Sequence, residues 1–357
     1  MKVVIAAGGT GGHIIPALSI TEALRKLGVE VLYIGNKNSM EQNLTSAKGI
    51  PFSPIDVQKL YRKLTLMHIK FPFKLAKSVF MSVRIMKEFK PDAFIGAGGF
   101  VSGPVGLAAL LTGIPIYWQE QNSYPGITTR FIAKYAKRVF IAYRGALKYL
   151  PEKRCLMTGN PINSTITTMQ NKLDYAQLGL NESNKSILIL GGSQGSIALN
   201  QAILSIVDKL LENHLNILWQ TGKRDFDSIN RKLQDKKGIY TFAFSQEMGK
   251  IYNSADISIA RAGALTLAEL ESKKVPMILI PLPTAAGNHQ YFNAMEEEEK
   301  KVAKVIEQKN LNHDILLASI MEMLVNLEQY KQNFGESEGI KAADTIAQQI
   351  VDDLKKD

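Results

Sequence analysis

The feature that most constrains the fold of this chain is a short apolar strand that runs through a glycine-rich turn into a helix. An apolar, β-branched run at residues 2–7 precedes the sequence Gly-Gly-Thr-Gly-Gly-His at 8–13, and the apolar spacing from Ile14 is helical. The same order recurs after a polar break at 181–185, with Gly-Gly-Ser-Gln-Gly-Ser at 191–196 and a helix from Ile197. A chain that repeats this unit is expected to form parallel sheets covered by helices.

The glycine loops suit an anionic ligand. Glycine permits positive φ and close approach of the backbone to a ligand, and the N–H groups at a helix start favour negative charge. The first loop lacks both the G-x-G-x-x-G spacing of a dinucleotide site and the Lys-Ser/Thr pair of a P-loop. On its own it supports equally a phosphate site and a tight turn in which His13 caps the helix.

Apolar runs alternate with helical patterns along the whole chain, which indicates βαβ units. We therefore predict two doubly wound α/β halves that join near residues 158–162. The predicted strands are 2–7, 29–34, 93–96, 114–118, 139–143, 186–190, 217–220, 239–244, 257–260 and 277–280. Ligands of such sheets bind beyond the carboxyl ends of the strands, so a cleft between facing halves would collect both glycine loops.

Two further loops at predicted strand ends extend this pattern. They are Gly96-Ala-Gly-Gly-Phe-Val-Ser-Gly103 and Arg261-Ala-Gly-Ala-Leu-Thr-Leu-Ala-Glu269. One such loop is compatible with an ordinary turn, but four at equivalent positions indicate an anionic or sugar-like ligand between the halves. The closing segment, residues 340–354, has the pattern of an amphipathic helix and is expected to pack back on the first half.

Composition excludes several classes of protein. The 357 residues suffice for two domains, and 45% hydrophobic with 21% charged residues is ordinary for a soluble globular protein. The single cysteine, Cys155, excludes an internal disulfide framework and a cysteine-built metal site, and it suits a reducing cytoplasm. We predict no signal peptide, and no apolar run reaches the roughly 20 residues of a membrane-spanning helix.

Positive charge is concentrated in the first half. Residues 1–160 hold 22 lysines and arginines against 8 aspartates and glutamates, whereas the rest of the chain holds 21 against 25. Such a basic surface suits nucleic acid or an anionic membrane. No zinc-finger spacing or RNA-binding sheet motif accompanies it, and large apolar residues do, so we predict a membrane surface and no nucleic acid.

One segment of the first half, residues 59–80, mixes bulky apolar residues with lysine and arginine. This mixture is typical of an interfacial segment that inserts apolar side chains while its cations meet anionic headgroups. The alternative is a core helix after Pro72 with a solvated basic face. The density of apolar side chains favours membrane insertion of Leu64, Leu66, Met67, Ile69, Phe71 and Phe73.

Polar side chains near the later loops suit a nucleotide sugar. Glu269 lies about two turns into the helix that Gly263 opens, where a carboxylate can accept hydrogen bonds from vicinal hydroxyls. Taken alone, it is more simply a solvated helix glutamate beside Glu271. The amide of Gln290 can donate to and accept from sugar hydroxyls. No metal-ligand spacing is present, and three histidines are expected at the surface without a role: His68, His214 and His313.

Six short motifs follow one another along the chain. They are Gly-Gly-Thr-Gly-Gly-His (8–13), Gly-x-Gly-Gly-x-Val-Ser-Gly-Pro (96–104), Glu-Gln-Asn (120–122), Gly-Asn-Pro (159–161), Gly-Gly-Ser-Gln-Gly (191–195) and Arg-x-Gly-Ala-Leu-Thr-x-x-Glu (261–269). Together they resemble the motifs of the MurG family of bacterial peptidoglycan glycosyltransferases, in order, as far as about Asn293. The resemblance implies the glycosyltransferase B fold, with two Rossmann-like doubly wound domains facing a central cleft. The implied parts are an acceptor- and membrane-binding domain (1–160), a UDP-sugar-binding domain (161–338) and a C-terminal helix (339–357).

The same resemblance implies transfer of N-acetylglucosamine from UDP-N-acetylglucosamine to the 4-hydroxyl of the muramoyl sugar of undecaprenyl-linked lipid I, which gives lipid II. Carried over, Glu269 binds the ribose, Ser193 and Gln194 the diphosphate, and the backbone near Ser245 the uracil. The other implied donor contacts are Thr10, Gly11, Gly12, Asn122, Asn163, Leu265, Thr266 and Gln290. The first two glycine loops face the acceptor's pyrophosphate, with contacts from Gly98, Gly99, Phe100 and Ser102.

The family pattern also implies a peripheral enzyme on the cytoplasmic face of the cell membrane, with partners among the proteins of cell-wall synthesis and division. It implies no cofactor and, because no Asp-x-Asp motif is present, no obligatory metal. The chain departs from the pattern at three positions. Asn163 stands where an arginine is expected, Phe100 where a tyrosine is expected, and His289 where some relatives have glutamine.

The implied reaction inverts an α-linked donor to a β-1,4 product, so it needs a base near the attacking hydroxyl and charge stabilisation at the leaving diphosphate. His13 is the candidate base because it closes the first loop and imidazole titrates near neutral pH. The alternative role for His13 is orientation of the acceptor's pyrophosphate. Two rival functions are glycosylation of diacylglycerol and silent binding, in which the protein binds a nucleotide sugar without catalysing transfer. The presence of His13 and Glu269 argues against the second.

Overall fold

The computed structural model describes residues 1–57, 67–192 and 194–356, and at residues 67–70 it describes the backbone only. The chain divides into two compact units. Unit 1 comprises Met1–Asn163 and Glu338–Asp357, and unit 2 comprises Ser164–Ser337. The end of the chain therefore belongs to the unit that the first half forms.

Unit 1 is a parallel sheet with helices on its faces. Its described strands are β1 Lys2–Ala6, β2 Glu30–Asn36, β3 Phe52–Ile55, β4 Ala93–Gly96, β5 Ile116–Glu120, β6 Arg138–Ile141 and β7 Cys155–Met157. The helices of its first segment are α1 Gly11–Lys26, α2 Met40–Ala47, α3 Met67–Phe89, α4 Gly99–Thr112 and α5 Ile127–Ile132. The strand order is β3-β2-β1-β4-β5-β6-β7, with every pair parallel, so the order reverses between β1 and β4.

The C-terminal helix, Ala342–Lys355, is part of unit 1. Its apolar face contributes Ile346 and Ile350 to the core that also contains residues of α1 and β1. At its polar end, the Arg138 guanidinium donates from Nε and Nη2 to the two carboxylate oxygens of Asp353, at 2.5 and 3.0 Å. An apolar stripe and a bidentate ion pair together hold this helix on the unit.

Unit 2 repeats the arrangement. Its described strands are β8 Lys185–Leu190, β9 Leu215–Gln220, β10 Ile239–Phe242, β11 Ile257–Ala260, β12 Met277–Leu279 and β13 Ala303–Val305. Its helices are α6 Ser164–Thr168, α7 Ile197–Leu204, α8 Val207–Glu212, α9 Phe226–Leu233, α10 Met248–Ser254, α11 Ala264–Ser272, α12 His289–Glu299, α13 His313–Val325 and α14 Leu327–Gln332. The parallel order is β10-β9-β8-β11-β12-β13, so it reverses between β8 and β11.

The predicted fold class, two Rossmann-like α/β halves, is confirmed. Each predicted strand is present, with ends that differ by at most two residues. Sequence patterns missed β3, β7 and β13, which are all edge strands. These strands have only three or four residues, and β3 contains Pro54. Short strands with one open edge need no long apolar run, and proline is tolerated there, so their periodicity is weak.

The predicted membrane segment is described only in part. Leu64 and Leu66 lie outside the described residues, as do the side chains of Met67 and Ile69. α3 begins before Pro72 rather than after it, and it buries Ser78, Ser82 and Met86. The core-helix alternative therefore holds for one face of α3. On the same helix, Phe71 is half-buried and Phe73 is exposed.

Candidate active site

In each unit, two loops follow the two central strands between which the strand order reverses. In unit 1 they are residues 7–13 after β1 and 97–103 after β4. In unit 2 they are residues 191–196 after β8 and 261–263 after β11. Doubly wound sheets bind ligands at this reversal, beyond the carboxyl ends of the strands. The four loops recognised in the sequence thus lie in two pairs, one pair at the strand reversal of each unit.

The two loops of unit 1 touch through their backbones. Gly99 has φ +77°, and a Cβ there would lie 2.0 Å from the Gly8 carbonyl oxygen. A Cβ on Gly9, at φ +97°, would lie 2.9 Å from the ring of Phe100. Only glycine fits both the positive φ and the close approach, so these residues join the loops into one surface at the starts of α1 and α4.

His13 lies at the centre of this surface. It is half-buried in the first turn of α1, and its Nδ1 is 3.0 Å from Oε1 of the buried Gln121. A Cβ on Gly98 would lie 2.6 Å from the same Nδ1, so the imidazole packs directly on this glycine. Gln121 belongs to the Glu-Gln-Asn motif at the end of β5, and no sequence pattern indicated a role for it.

The neighbours of Gln121 form a second polar feature. Glu120 is buried and accepts hydrogen bonds from the backbone N and the side-chain Nδ2 of Asn122, at 2.9 and 3.2 Å. Burial raises the pKa of Glu120, while hydrogen bonds from Thr129, Asn122 and Gly126 oppose this shift. The side chain of Asn122 is therefore oriented by a buried carboxyl group, and its contact with the donor sugar stays a prediction.

Ser102 has a structural role that was not predicted from the sequence. Its hydroxyl is buried and lies 2.6 Å from the carbonyl oxygens of both Ala6 and Gly98. A hydroxyl proton shared between two backbone acceptors ties the second loop to β1. The Ser102 hydroxyl therefore positions this loop, and the predicted contact of Ser102 with the acceptor stays a prediction. The predicted ligand surface of unit 1 otherwise consists of exposed or half-buried residues, namely Thr10, Gly11, Gly12, Gly98, Gly99, Phe100, Asn122 and Asn163.

In unit 2, the glycine loop packs against the end of β9. Gly195 and Gly222 have φ +77° and +80°, and a Cβ on Gly222 would lie 2.2 Å from the Gly195 nitrogen. Ser193 lies outside the described residues, and Gln194 is exposed. The Thr221-Gly222 pair was not singled out in the sequence, although a glycine directly after an apolar strand is a signal for such an approach.

Arg261 lies behind this loop and is only 9% exposed. Its Nη2 donates to Ser196 Oγ at 2.7 Å and to Gln308 Oε1 at 2.6 Å, and its Nη1 donates to the Ile280 carbonyl oxygen at 2.9 Å. Ser196 in turn caps α7. These described acceptors are neutral, and burial lowers the pKa of Arg261. A guanidinium so placed favours an anion on the loop, because its charge is only weakly screened in the interior.

Glu269 is buried rather than solvated. It is 9% exposed on α11, and its Oε2 accepts a hydrogen bond of 2.6 Å from the Tyr252 hydroxyl on α10. Burial raises the pKa of Glu269 to about 7, and the hydrogen bond from Tyr252 opposes this shift. The interpretation of Glu269 as a solvated helix glutamate is therefore wrong. Tyr252 is a partner that the sequence analysis missed.

The remaining predicted donor contacts of unit 2 lie on helix starts and loops. Gln290 Oε1 accepts from the Leu282 nitrogen at 3.0 Å, which leaves its amide nitrogen as the group that can donate. Leu265 and Thr266 are half-buried in the first turn of α11. Ser245 Oγ accepts from the Glu247 nitrogen at 3.0 Å. His214 and His313 are exposed, as expected, and the side chain of His68 lies outside the described residues.

Comparison with known proteins covers both units. Residues 3–141 match the glycosyltransferase family 28 N-terminal domain, and residues 186–350 match the glycosyltransferase family 28 C-terminal domain. The UDP-N-acetylglucosamine--N-acetylmuramyl-(pentapeptide) pyrophosphoryl-undecaprenol N-acetylglucosamine transferase of Bacillus subtilis (strain 168) is 34% identical over 363 aligned residues, with 100% of both chains covered. The protein of the same name from Bacillus pumilus (strain SAFR-032) is 37% identical over 337 residues, or 93% of each chain.

A solved structure gives the same result. The crystal structure of Acinetobacter baumannii MurG has a TM-score of 0.75 and 31% sequence identity, and the match covers 100% of this chain and 99% of that one. The family models, the full-length relatives and this structure agree with the resemblance found from the sequence motifs. The chain belongs to glycosyltransferase family 28.

Proposed function

We propose that this protein transfers N-acetylglucosamine from UDP-N-acetylglucosamine to the 4-hydroxyl of the muramoyl sugar of lipid I, with inversion to a β-1,4 linkage. The observation that carries the proposal is the full-length similarity to relatives named for this transfer. The glycine loops at the strand reversal of each unit support it. The product is lipid II of peptidoglycan synthesis.

Unit 2 supplies the donor side of the proposal. The loop at 191–196, with Arg261 buried behind it, suits the diphosphate and the charge that develops when UDP leaves. The Glu269 carboxylate accepts hydrogen bonds from the ribose hydroxyls, and the backbone near Ser245 contacts the uracil. The sugar contacts that we assign to this unit are Leu265, Thr266 and the amide nitrogen of Gln290. Ser193 and Gln194 keep their predicted role at the diphosphate.

Unit 1 supplies the acceptor side. α1 and α4 both begin at the strand reversal, so the positive ends of their helix dipoles suit the acceptor's pyrophosphate. His13 projects from this surface as the general base. In this assignment, Gly98, Gly99 and Phe100 contact the acceptor. The donor contacts that the resemblance implied in this unit remain predictions; they are Thr10, Gly11, Gly12, Asn122 and Asn163.

The direct test is turnover by purified protein with UDP-N-acetylglucosamine and a short-chain, soluble lipid I analogue. We expect stoichiometric release of UDP and a β-1,4-linked disaccharide product. A parallel reaction with diacylglycerol tests the rival acceptor, and calorimetric titration with UDP-N-acetylglucosamine tests silent binding. Product from diacylglycerol alone, or tight donor binding without any product, would replace the proposed function by the corresponding rival.

We also propose that the carboxyl edge of the unit 1 sheet meets an anionic membrane. Phe73 is 78% exposed and Phe80 is 71% exposed on α3, and Ile127 is 79% exposed at the start of α5. Ser78 Oγ donates to the Asp56 carbonyl just beyond β3, so the first turns of α3 lie at the carboxyl edge. Exposed cations in the same part of the described sequence include Lys77 on α3 and Lys134 just after α5.

This placement suits a peripheral enzyme. Among the described residues, no helix combines the length and the apolar character that crossing a bilayer requires. An acceptor with an undecaprenyl tail has its reactive sugar at the membrane surface. Apolar side chains that insert into the membrane from this unit would therefore hold the acceptor loops close to that sugar. On this basis the protein works at the cytoplasmic face of the membrane, among the proteins of cell-wall synthesis and division.

Vesicle co-sedimentation tests this membrane face with a matched control. Wild-type protein should bind anionic vesicles in a salt-sensitive manner, with about 1 kcal/mol from each surface cation. The double variant Phe73→Ser, Phe80→Ser should lose most of this binding. Leu111→Ser is the control, because Leu111 is 74% exposed but lies at the other end of α4, toward the amino edge of the sheet. Equal binding by the double variant and the wild type would refute the assignment.

A further inference from the structure

Behind His13, three buried amide side chains form a continuous chain of hydrogen bonds. They are Gln121, Gln119 and Asn160, which are 3%, 0% and 2% exposed. Gln121 Nε2 donates to Gln119 Oε1 and, at 2.8 Å, to the Ala97 carbonyl oxygen. Gln119 Nε2 donates to Asn160 Oδ1 at 3.1 Å, and Asn160 Nδ2 donates to the Gln121 carbonyl oxygen at 3.0 Å. This amide relay joins the ends of β4, β5 and β7.

Both ends of the amide relay are anchored on backbone carbonyls, which can only accept. The carbonyl of Ala97 requires the nitrogen of the Gln121 amide to face it, so the oxygen of this amide faces His13. At the other end, the backbone carbonyl of Gln121 must face the side-chain nitrogen of Asn160. The side-chain oxygen of Asn160 must then face the side-chain nitrogen of Gln119. The two ends impose the same order, so no amide of the relay can be flipped without opposing two oxygens or two N–H groups.

This order determines the proton on the imidazole. Gln121 Oε1 can only accept, so the Nδ1 of His13, 3.0 Å away, must carry a proton. In the neutral ring, Nε2 is then the nitrogen that carries no proton. We propose that Gln121 is a positioning residue that holds His13 in the Nδ1–H tautomer, with Gln119 and Asn160 holding Gln121 in turn. The bond to Gln121 is the same in the neutral and the protonated ring, so proton uptake at Nε2 requires no rearrangement behind it.

The inference rests on the proposed function only in that Nε2 is the atom that takes the proton from the acceptor's hydroxyl. The tautomer itself is independent of turnover. It can be measured by nitrogen NMR of protein labelled with [¹⁵N]histidine, at a pH where the rings are neutral. The His13 signals are identified by their loss in His13→Gln.

We expect wild-type His13 to show a protonated Nδ1 and an unprotonated Nε2. Gln121→Leu should populate the other tautomer, because no acceptor then lies opposite Nδ1. A protonated Nε2 in the wild-type protein would overturn the proposal even if Gln121→Leu failed to fold. An unchanged His13 spectrum in folded Gln121→Leu would overturn it as well.

Kinetics separate this inference from the proposed function. A base held in the wrong tautomer costs a serine protease about 10⁴-fold in kcat, so partial release of the ring in Gln121→Leu should cost at least about tenfold, with the donor KM nearly unchanged. If wild-type protein has the expected tautomer but makes no product, the proposed function fails and the assignment of the amide relay stands. If wild-type protein makes product but has a protonated Nε2, the proposed function stands and the assignment of the amide relay fails.

Discussion

Replacement of His13 by alanine is expected to lower turnover by about 10²-fold or more, the usual contribution of a general base. Folding and UDP affinity should stay near wild type, because the contacts that we assign to the ribose, the diphosphate and the uracil come from unit 2. The variant removes a half-buried ring that packs on Gly98, so its thermal unfolding should be recorded beside its kinetics. Turnover with the soluble lipid I analogue and calorimetry with UDP are the two measurements.

The controls for this prediction separate the two roles considered for His13. His313→Ala removes an exposed histidine that the proposed function does not use, and its turnover should equal that of the wild type. Loss of a base lowers kcat at saturating acceptor, whereas loss of a group that only orients the pyrophosphate raises the acceptor KM. Unchanged turnover in His13→Ala would remove the residue from the mechanism.

Donor affinity is expected to fall about tenfold between pH 8 and pH 6, because Glu269 has a pKa of about 7 and its carboxylate accepts from the ribose hydroxyls much more strongly than its protonated form does. UDP-N-acetylglucosamine is the ligand to use, since its diphosphate diester keeps a constant charge over this range. Glu269→Ala should bind weakly at every pH, since each hydrogen bond to a carboxylate contributes about 1.5–3 kcal/mol. Calorimetric titration across the pH range measures both effects.

Two further variants make the pH argument specific to Glu269. Glu269→Gln cannot titrate and should bind with a pH-independent affinity. Tyr252→Phe removes a hydrogen bond that lowers the pKa of Glu269, so the midpoint of the affinity profile should move to higher pH. Affinity of Glu269→Ala within twofold of wild type would show that the ribose assignment is wrong.

The raised pKa of Glu269 also makes the free energy of unfolding depend on pH. The direction of this dependence is opposite to that produced by an ion-paired carboxylate, whose pKa is lowered. The folded state favours the protonated form, so the contribution of Glu269 to the free energy of unfolding is fully present below its unfolded pKa, near 4.5. It declines as the pH rises through about 7. Binding of the donor opposes this loss of stability above pH 7, because the donor binds more tightly to the carboxylate form of Glu269.

Several features of this protein were determined by sequence alone because they depend on neighbouring residues. β-branched apolar runs such as those of β1 and β8 form buried strands wherever helices cover both faces of a parallel sheet. The glycine loops after them require positive φ, which can be recognised without knowing the fold. Family membership followed from the same local motifs. Three of the four edge strands, β3, β7 and β13, were missed because a short strand with one open edge needs no long apolar run, whereas the fourth, β10, lies within such a run.

Tertiary structure decided which of the recognised residues face a ligand and which support it. Gln121 and His13 are separated by 108 positions, Arg261 and Ser196 by 65, and Ser102 and Ala6 by 96, so no local pattern pairs them. Burial of Glu269 beside Tyr252 likewise depends on how α10 and α11 pack, and it changes an ordinary helix glutamate into a group that titrates near neutral pH. Local spacing determines elements, whereas hydrogen-bond direction and desolvation arise only when distant elements meet, and these set the chemistry of the site.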